Sequence, residues 1–241
     1  MATSGLATFN PDFTELAEEA YDLAGVEMRS GYHLRSARRS LNTMFLEWAN
    51  RGINLWKVES GTQALTAGTA TYTLPSDTID LIEYSIRTNS GNTSTQTDTR
   101  LNRISVSTYA DIPNKLSQGL PIQIYIDRQQ AAPVVNLYPI PDDAETYTLF
   151  YYRIARIEDV GSPGSNTLDL PARFLPCATA GLAYYLSIKH SGQADRVLAL
   201  KSMYEEQWQL AAAEDREKAS VENVIQGSIE NPELNTFSDA Y

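Results

Sequence analysis

Apolar residues recur at helical spacing near both ends of the chain and at a spacing of two through its middle. Phe13, Leu16, Ala17, Ala20, Tyr21 and Ala24 form one stripe that stops at Gly25. Asn10 is placed to cap this first helix, and Pro11 suits its first position, where a missing N–H is no loss. A second, longer helix is predicted from about Ser30 to Arg51, with Leu34, Ala37, Leu41, Phe45 and Trp48 on its stripe and Gly52 at the left-handed position that ends it. Between about Leu55 and Leu168 the period is two. Ala70, Tyr72 and Leu74 alternate against threonines, Ile82, Tyr84 and Ile86 against polar neighbours, and Ile122, Ile124 and Ile126 repeat the pattern. Val135 and Leu137 add a short run, and Tyr147 to Ile157 is β-branched and aromatic on both faces. Five or more strands follow from this, broken by Pro75-Ser76-Asp77, Gly119-Leu120-Pro121 and Pro139-Ile140-Pro141-Asp142. Helical spacing resumes from about Pro171 through His190, apolar nearly all round, and again from about Gln193 to Ser220, where Val197, Leu200, Tyr204, Trp208 and Ala211 align.

Neither pair of helices can bury its stripe alone, so the four are expected to close on one another. The fold class predicted is α+β: an antiparallel bundle of four main helices, residues 1–54 and 169–224, with an inserted antiparallel β-sandwich or barrel-like domain, residues 55–168. Residues 225–241 carry Gly227, Asn231-Pro232 and scattered apolar side chains without either period, which reads as an extended tail that orders on binding.

Composition narrows the function. With 30 acidic and 19 basic side chains the net charge is -11, which opposes nonspecific attachment to DNA or anionic membranes. The most apolar run, Phe174 to Ile188, holds fifteen residues, short of the roughly 20 that a membrane-spanning helix needs. Residues 1–28 hold six acidic groups and no lysine or arginine, the reverse of a signal peptide. A single cysteine, Cys177, excludes an internal disulfide.

Catalytic chemistry has little material to work with. The only imidazoles are His33 and His190, and Cys177 lies thirteen residues before His190 on one predicted helix, roughly 20 Å along its axis. Asp142-Asp143 and Glu205-Glu206 read as solvated pairs, and no glycine-rich phosphate cradle occurs. No enzyme activity, cofactor or metal is expected. Arg35, Arg38 and Arg39 form the one basic cluster of note, and Glu15, Glu18, Glu19 and Asp22 on the first helix are its expected partners, within the bundle or between subunits. A nucleic-acid role for the arginines and a carbohydrate-binding or peptidoglycan-cleaving role for the β segment are the alternatives. The second requires aromatics such as Tyr125, Tyr151 or Tyr152 exposed along one sheet face.

Several phrases, in order, resemble bacteriophage head-to-tail adaptor proteins: Trp48-Ala49-Asn50-Arg51-Gly52-Ile53-Asn54-Leu55-Trp56, Gly68-Thr69-Ala70-Thr71-Tyr72-Thr73-Leu74-Pro75, Gly119-Leu120-Pro121, Leu137-Tyr138-Pro139-Ile140-Pro141, Leu170-Pro171-Ala172-Arg173-Phe174, and the helices from Leu182-Ala183-Tyr184-Tyr185-Leu186 to Tyr204-Glu205-Glu206. The resemblance implies a structural virion protein in the neck: a homo-oligomeric ring, usually of twelve subunits, that docks beneath the portal protein, joins the capsid to a downstream tail or nozzle protein, and lets DNA pass through its centre. It also implies helices that build the ring and a C-terminal segment that inserts into the portal. By position and composition that segment is Ile225 to Tyr241, with Ile225, Ile229, Leu234, Phe237 and Tyr241 as portal-binding side chains.

Overall fold

The computed structural model describes residues 9–29, 31–52, 55–161, 167–190 and 194–215. The first helix, α1 (Phe13–Ala24), begins later than the sequence implied, because its cap is Asp12 rather than Asn10. The Glu15 N–H donates to Asp12 Oδ1 at 2.9 Å, and the Asp12 N–H donates to Glu15 Oε2 at 3.1 Å. This reciprocal pair satisfies two of the donors that a helix start leaves open, which a lone Asn10 side chain could not. Gly25 closes the helix with a φ of 72°. The second helix, α2 (Gly31–Arg51), buries Ala37, Leu41, Met44, Phe45 and Trp48, and Gly52 follows it with a φ of 76°.

Trp56 sits in the 3-10 turn Leu55–Lys57, ahead of the first strand, and packs on Phe174 with ring centroids 4.5 Å apart. Eight strands follow: β1 (Val58–Ala64), β2 (Thr71–Thr73), β3 (Thr78–Thr88), β4 (Thr97–Arg100), β5 (Asn102–Arg103), β6 (Gln123–Asp127), β7 (Val134–Tyr138) and β8 (Tyr147–Ala155), with a single helical turn, α3 (Val106–Ala110), between β5 and β6. They form two four-stranded sheets, β1-β8-β3-β4 and β2-β7-β6-β5. Neither sheet closes on itself, so the arrangement is a sandwich and the barrel alternative is set aside. It is also not wholly antiparallel, since β5 runs parallel to β6. The chain switches sheets across one residue, Leu101, which is buried between β4 and β5.

Alternation places Tyr72, Ile124, Ile126, Val135 and Leu137 of one sheet against Leu81, Ile86, Tyr147, Leu149 and Tyr151 of the other. Ile82 departs from the expected pattern. The pairing of β3 with β8 shifts register between Leu81 and Glu83, so Leu81 turns inward at 3% exposure and Ile82 outward at 44%. Ile122 lies just before β6 and is likewise exposed.

After the sandwich, a 3-10 turn (Ala172–Phe174) leads into α4 (Leu175–His190), and α5 (Ala194–Glu214) completes the described chain. α4 is buried on most sides, and α1, α2 and α5 all pack against it. Gly181 permits the closest approach, because a Cβ there would stand 2.4 Å from Met44 Sδ and 2.8 Å from the Tyr204 ring. One hydrophobic cluster therefore draws on both ends of the chain, from Phe13 to Trp48 and from Ile157 to Ala211. Trp48 lies at its centre, touching the rings of Phe45, Phe174 and Trp208 at 5.6, 5.6 and 5.2 Å. Its Nε1–H donates to Tyr204 Oη at 2.8 Å across 156 residues of sequence. Burial of each large side chain in this cluster stabilises by about 1.5–3 kcal/mol before conformational entropy is subtracted.

Candidate interaction surfaces

The groups that could support chemistry are mostly engaged in packing. Cys177 is buried on α4, and burial pushes its thiol up to about 12, far from a reactive thiolate. Tyr147 donates to Asp142 Oδ1 at 2.8 Å, and burial and then that bond push the phenol up to about 12. Glu205 is not a freely solvated carboxylate. It receives Arg51 Nη1 and Nη2 at 3.0 Å each, and this hydrogen bonding holds its carboxyl below the usual range. Arg51 also donates Nε to Glu47 at 2.9 Å, and its guanidinium carbon lies 4.8 Å from the centre of the Trp208 ring. Tyr185 completes the cluster by donating to Glu47.

The fold brings together the only two histidines of the chain, which the sequence separates by 157 positions. Their rings meet edge to face at 5.4 Å beside Tyr21, whose hydroxyl donates to the His33 carbonyl at 2.9 Å. The Arg29 N–H donates to His33 Nδ1 at 3.1 Å. His190 Nε2 is buried without a hydrogen-bond partner, and burial, then His33 and Lys189, hold this imidazole below its ordinary range. No sequence signal announces the pair, because each residue lies on a separate helix at an unremarkable position. Among the described residues, no group of three or more His, Cys, Asp or Glu side chains is arranged to hold a metal ion.

The charged residues singled out in the sequence fall into two separate places. Glu15, Glu18, Glu19 and Asp22 are exposed and line one wall of a groove of about 910 Å³ between α1 and α5, whose floor is α4. Arg35 and Arg39 are exposed on α2, with Arg38 half-buried beside them. Among the described residues, no ion pair joins these arginines to those four carboxylates. The acidic face of α1 turns toward α5 instead of α2. Arg39 lines a smaller cavity of about 370 Å³ with Tyr32, Tyr185 and Lys189. Lys189 donates to Ser40 Oγ at 2.6 Å, and burial followed by the charge of Arg39 holds its amine below the ordinary lysine range.

A glycan platform finds little support in the sheets. Tyr151 is buried in the sandwich core, Tyr125 is half-buried and stacks on Tyr109 at 5.3 Å, and Tyr152 alone of the three is exposed. The five tail residues, Ile225, Ile229, Leu234, Phe237 and Tyr241, lie outside the described residues, as does the expected end of the last helix beyond Asp215. No described helix is long and apolar enough to cross a membrane.

A comparison with curated proteins gives no match. Among solved structures, a chain described as "Neck of empty GTA particle computed with C6 symmetry" is 15% identical and covers 84% of this chain and 92% of its own length. Its TM-score of 0.26 marks a superposition too loose to bear on the arrangement of elements. A family model described as SU10 adaptor protein matches residues 12–226, from the cap of α1 through every strand and beyond α5. The chain accordingly belongs to the SU10 adaptor protein family, in keeping with the head-to-tail adaptor phrases found along its sequence.

Proposed function

We propose that this chain is the subunit of a head-to-tail adaptor ring in the neck of a phage-like particle, made in the host cytoplasm and built into the virion. Its family membership, running unbroken over residues 12–226, carries this reading. The helices form the ring, with twelve subunits as the implied number, and DNA passes through the centre without sequence-specific binding. One side meets the portal protein and the other a tail or nozzle protein. A net charge of -11 per subunit, repeated around a closed ring, favours a channel that DNA slides past without sticking.

Residues 225–241 form the portal-binding segment. A chain that orders on binding covers a large surface for its length, and Ile225, Ile229, Leu234, Phe237 and Tyr241 each supply an apolar anchor. Repetition around a ring multiplies the attachment. The test mixes the purified chain with portal complexes, with and without residues 225–241, and images the products by electron microscopy. Docked rings from the full chain and their loss on truncation are the expected results. Unchanged docking of the truncated chain overturns the tail assignment, and failure of the full chain to dock in rings overturns the adaptor reading.

A further inference from the structure

The groove between α1 and α5 has an apolar floor, with Leu16, Leu175, Pro176 and Ala180 lining it, and Phe9 and Met203 exposed at 80% and 40%. Its charged lining consists of Glu15, Glu18, Glu19 and Asp22, and it contains no basic residue. On α2 the same chain displays a complementary stripe. Tyr32, Arg35, Arg39 and Leu46 follow one another at spacings of three, four and seven, which keeps them on one helical face. All four are exposed, with Tyr32 at 57% and Leu46 at 52%. Lys189 lies beside Arg39, and among the described residues neither has a carboxylate within ion-pair distance. The molecule thus carries an acidic-rimmed apolar groove and a basic, apolar-ended helix face, and the two are lined by different residues and do not meet within one copy.

We infer that the groove between α1 and α5 receives the Tyr32–Arg35–Arg39–Leu46 face of α2 from a neighbouring copy, so that successive subunits join head to tail. This deepens the ring proposal and rests on it. Two different surfaces meeting repeatedly generate a ring when the rotation closes, which a self-complementary patch does not do. The dimensions agree: Glu15 to Asp22 spans about 10 Å of α1, enough for two arginines about 6 Å apart along α2. Tyr32 and Leu46 then reach the apolar floor on either side of the arginines, where they exclude water from the charge pairs. The chain's own tail is the wrong occupant by charge. Residues 216–241 hold Glu217, Glu222, Glu230, Glu233 and Asp239 against Arg216 and Lys218, and would add acidic groups to an acidic rim.

The decisive experiment pairs charge reversals in the full chain and follows ring assembly on portal complexes by electron microscopy and sedimentation. Glu18→Lys with Glu19→Lys, and separately Arg35→Glu with Arg39→Glu, each set like charges across the contact and are expected to weaken assembly at least about tenfold. Mixing the two variants in equal amounts restores opposite charges at every contact and is expected to restore rings of alternating subunits. Recovery in the mixture also shows that neither variant has lost its fold. As a second measurement, Glu19→Cys and Arg39→Cys in one chain are expected to give a ladder of oxidised oligomers, with buried Cys177 silent in the background. Normal assembly of both single variants while the wild type forms rings overturns this contact and leaves the ring intact. Loss in the α2 variant of salt-sensitive DNA retention, with assembly unchanged, overturns it in favour of a nucleic-acid surface. Absence of wild-type rings overturns the contact together with the ring reading.

Discussion

The Trp48–Tyr204 hydrogen bond joins two side chains that are almost fully buried, so its loss is expected to be costly. Tyr204→Phe keeps the ring but leaves the Trp48 N–H without an acceptor in the core. A loss of about 1–3 kcal/mol in urea unfolding is expected. His190 gives a pH signature of its own. Its imidazole is held below the ordinary 6.5, so the unfolded chain takes up a proton at a higher pH than the folded one does. The contribution of His190 is therefore fully present at higher pH and is lost as pH falls through 6.5 and below. Wild-type protein is expected to lose stability between pH 7.5 and pH 5.5, and His190→Phe to lose less over the same interval. Equal losses would remove His190 from the account. At this scale sequence reading found the participants but not their partners. Trp48 and Tyr204 each belonged to a recognisable stripe, yet contacts across more than 150 residues leave no local periodicity to read.

Among the elements, helical stripes were the most legible feature, because four of them persist over three or more turns and the first two stop at glycines, Gly25 and Gly52. The strands were legible as a group but less so in register. Alternation alone put Ile82 with Tyr84 and Ile86, whereas the register shift in β3 hands the inward position to Leu81. A bulge adds one residue on one strand only, and nothing in the local pattern marks it. This distinction is measurable. Leu81→Ala is expected to cost about 2–5 kcal/mol in chemical denaturation, and Ile82→Ala well under about 1 kcal/mol. The cap of α1 was misplaced for a related reason, since Asp12 and Glu15 act as a reciprocal pair and Asn10 was judged singly. The acidic face of α1 was readable, but its aim was not, because the rotation of α1 about its axis is set by where Phe13, Leu16, Ala20 and Tyr21 find room against α4 and α2.

For the whole molecule, counting unpartnered stripes led to the expectation that the two ends of the chain share a core, and among the described residues one hydrophobic cluster and the Arg51–Glu205 pair draw on both ends. The choice between sandwich and barrel was not legible, since it turns on a one-residue sheet switch at Leu101. The groove escaped notice as well, because its walls come from helices separated by almost the entire β region. Another consequence lies in the first and last strands of that region. Val58, which opens β1, is the ladder partner of Ile154, one residue before β8 ends. The excursion therefore returns to its point of departure, with the two backbones about 5 Å apart. Replacing residues 58–154 by a two- or three-residue turn is expected to leave a helical remnant that still unfolds cooperatively by circular dichroism, and collapse of that remnant would show that the sandwich is indispensable to it. If the remnant folds, the β region is an exchangeable cartridge: strands and hairpin tips can then be lengthened, shortened or traded for another build, while the mount that holds them keeps its shape.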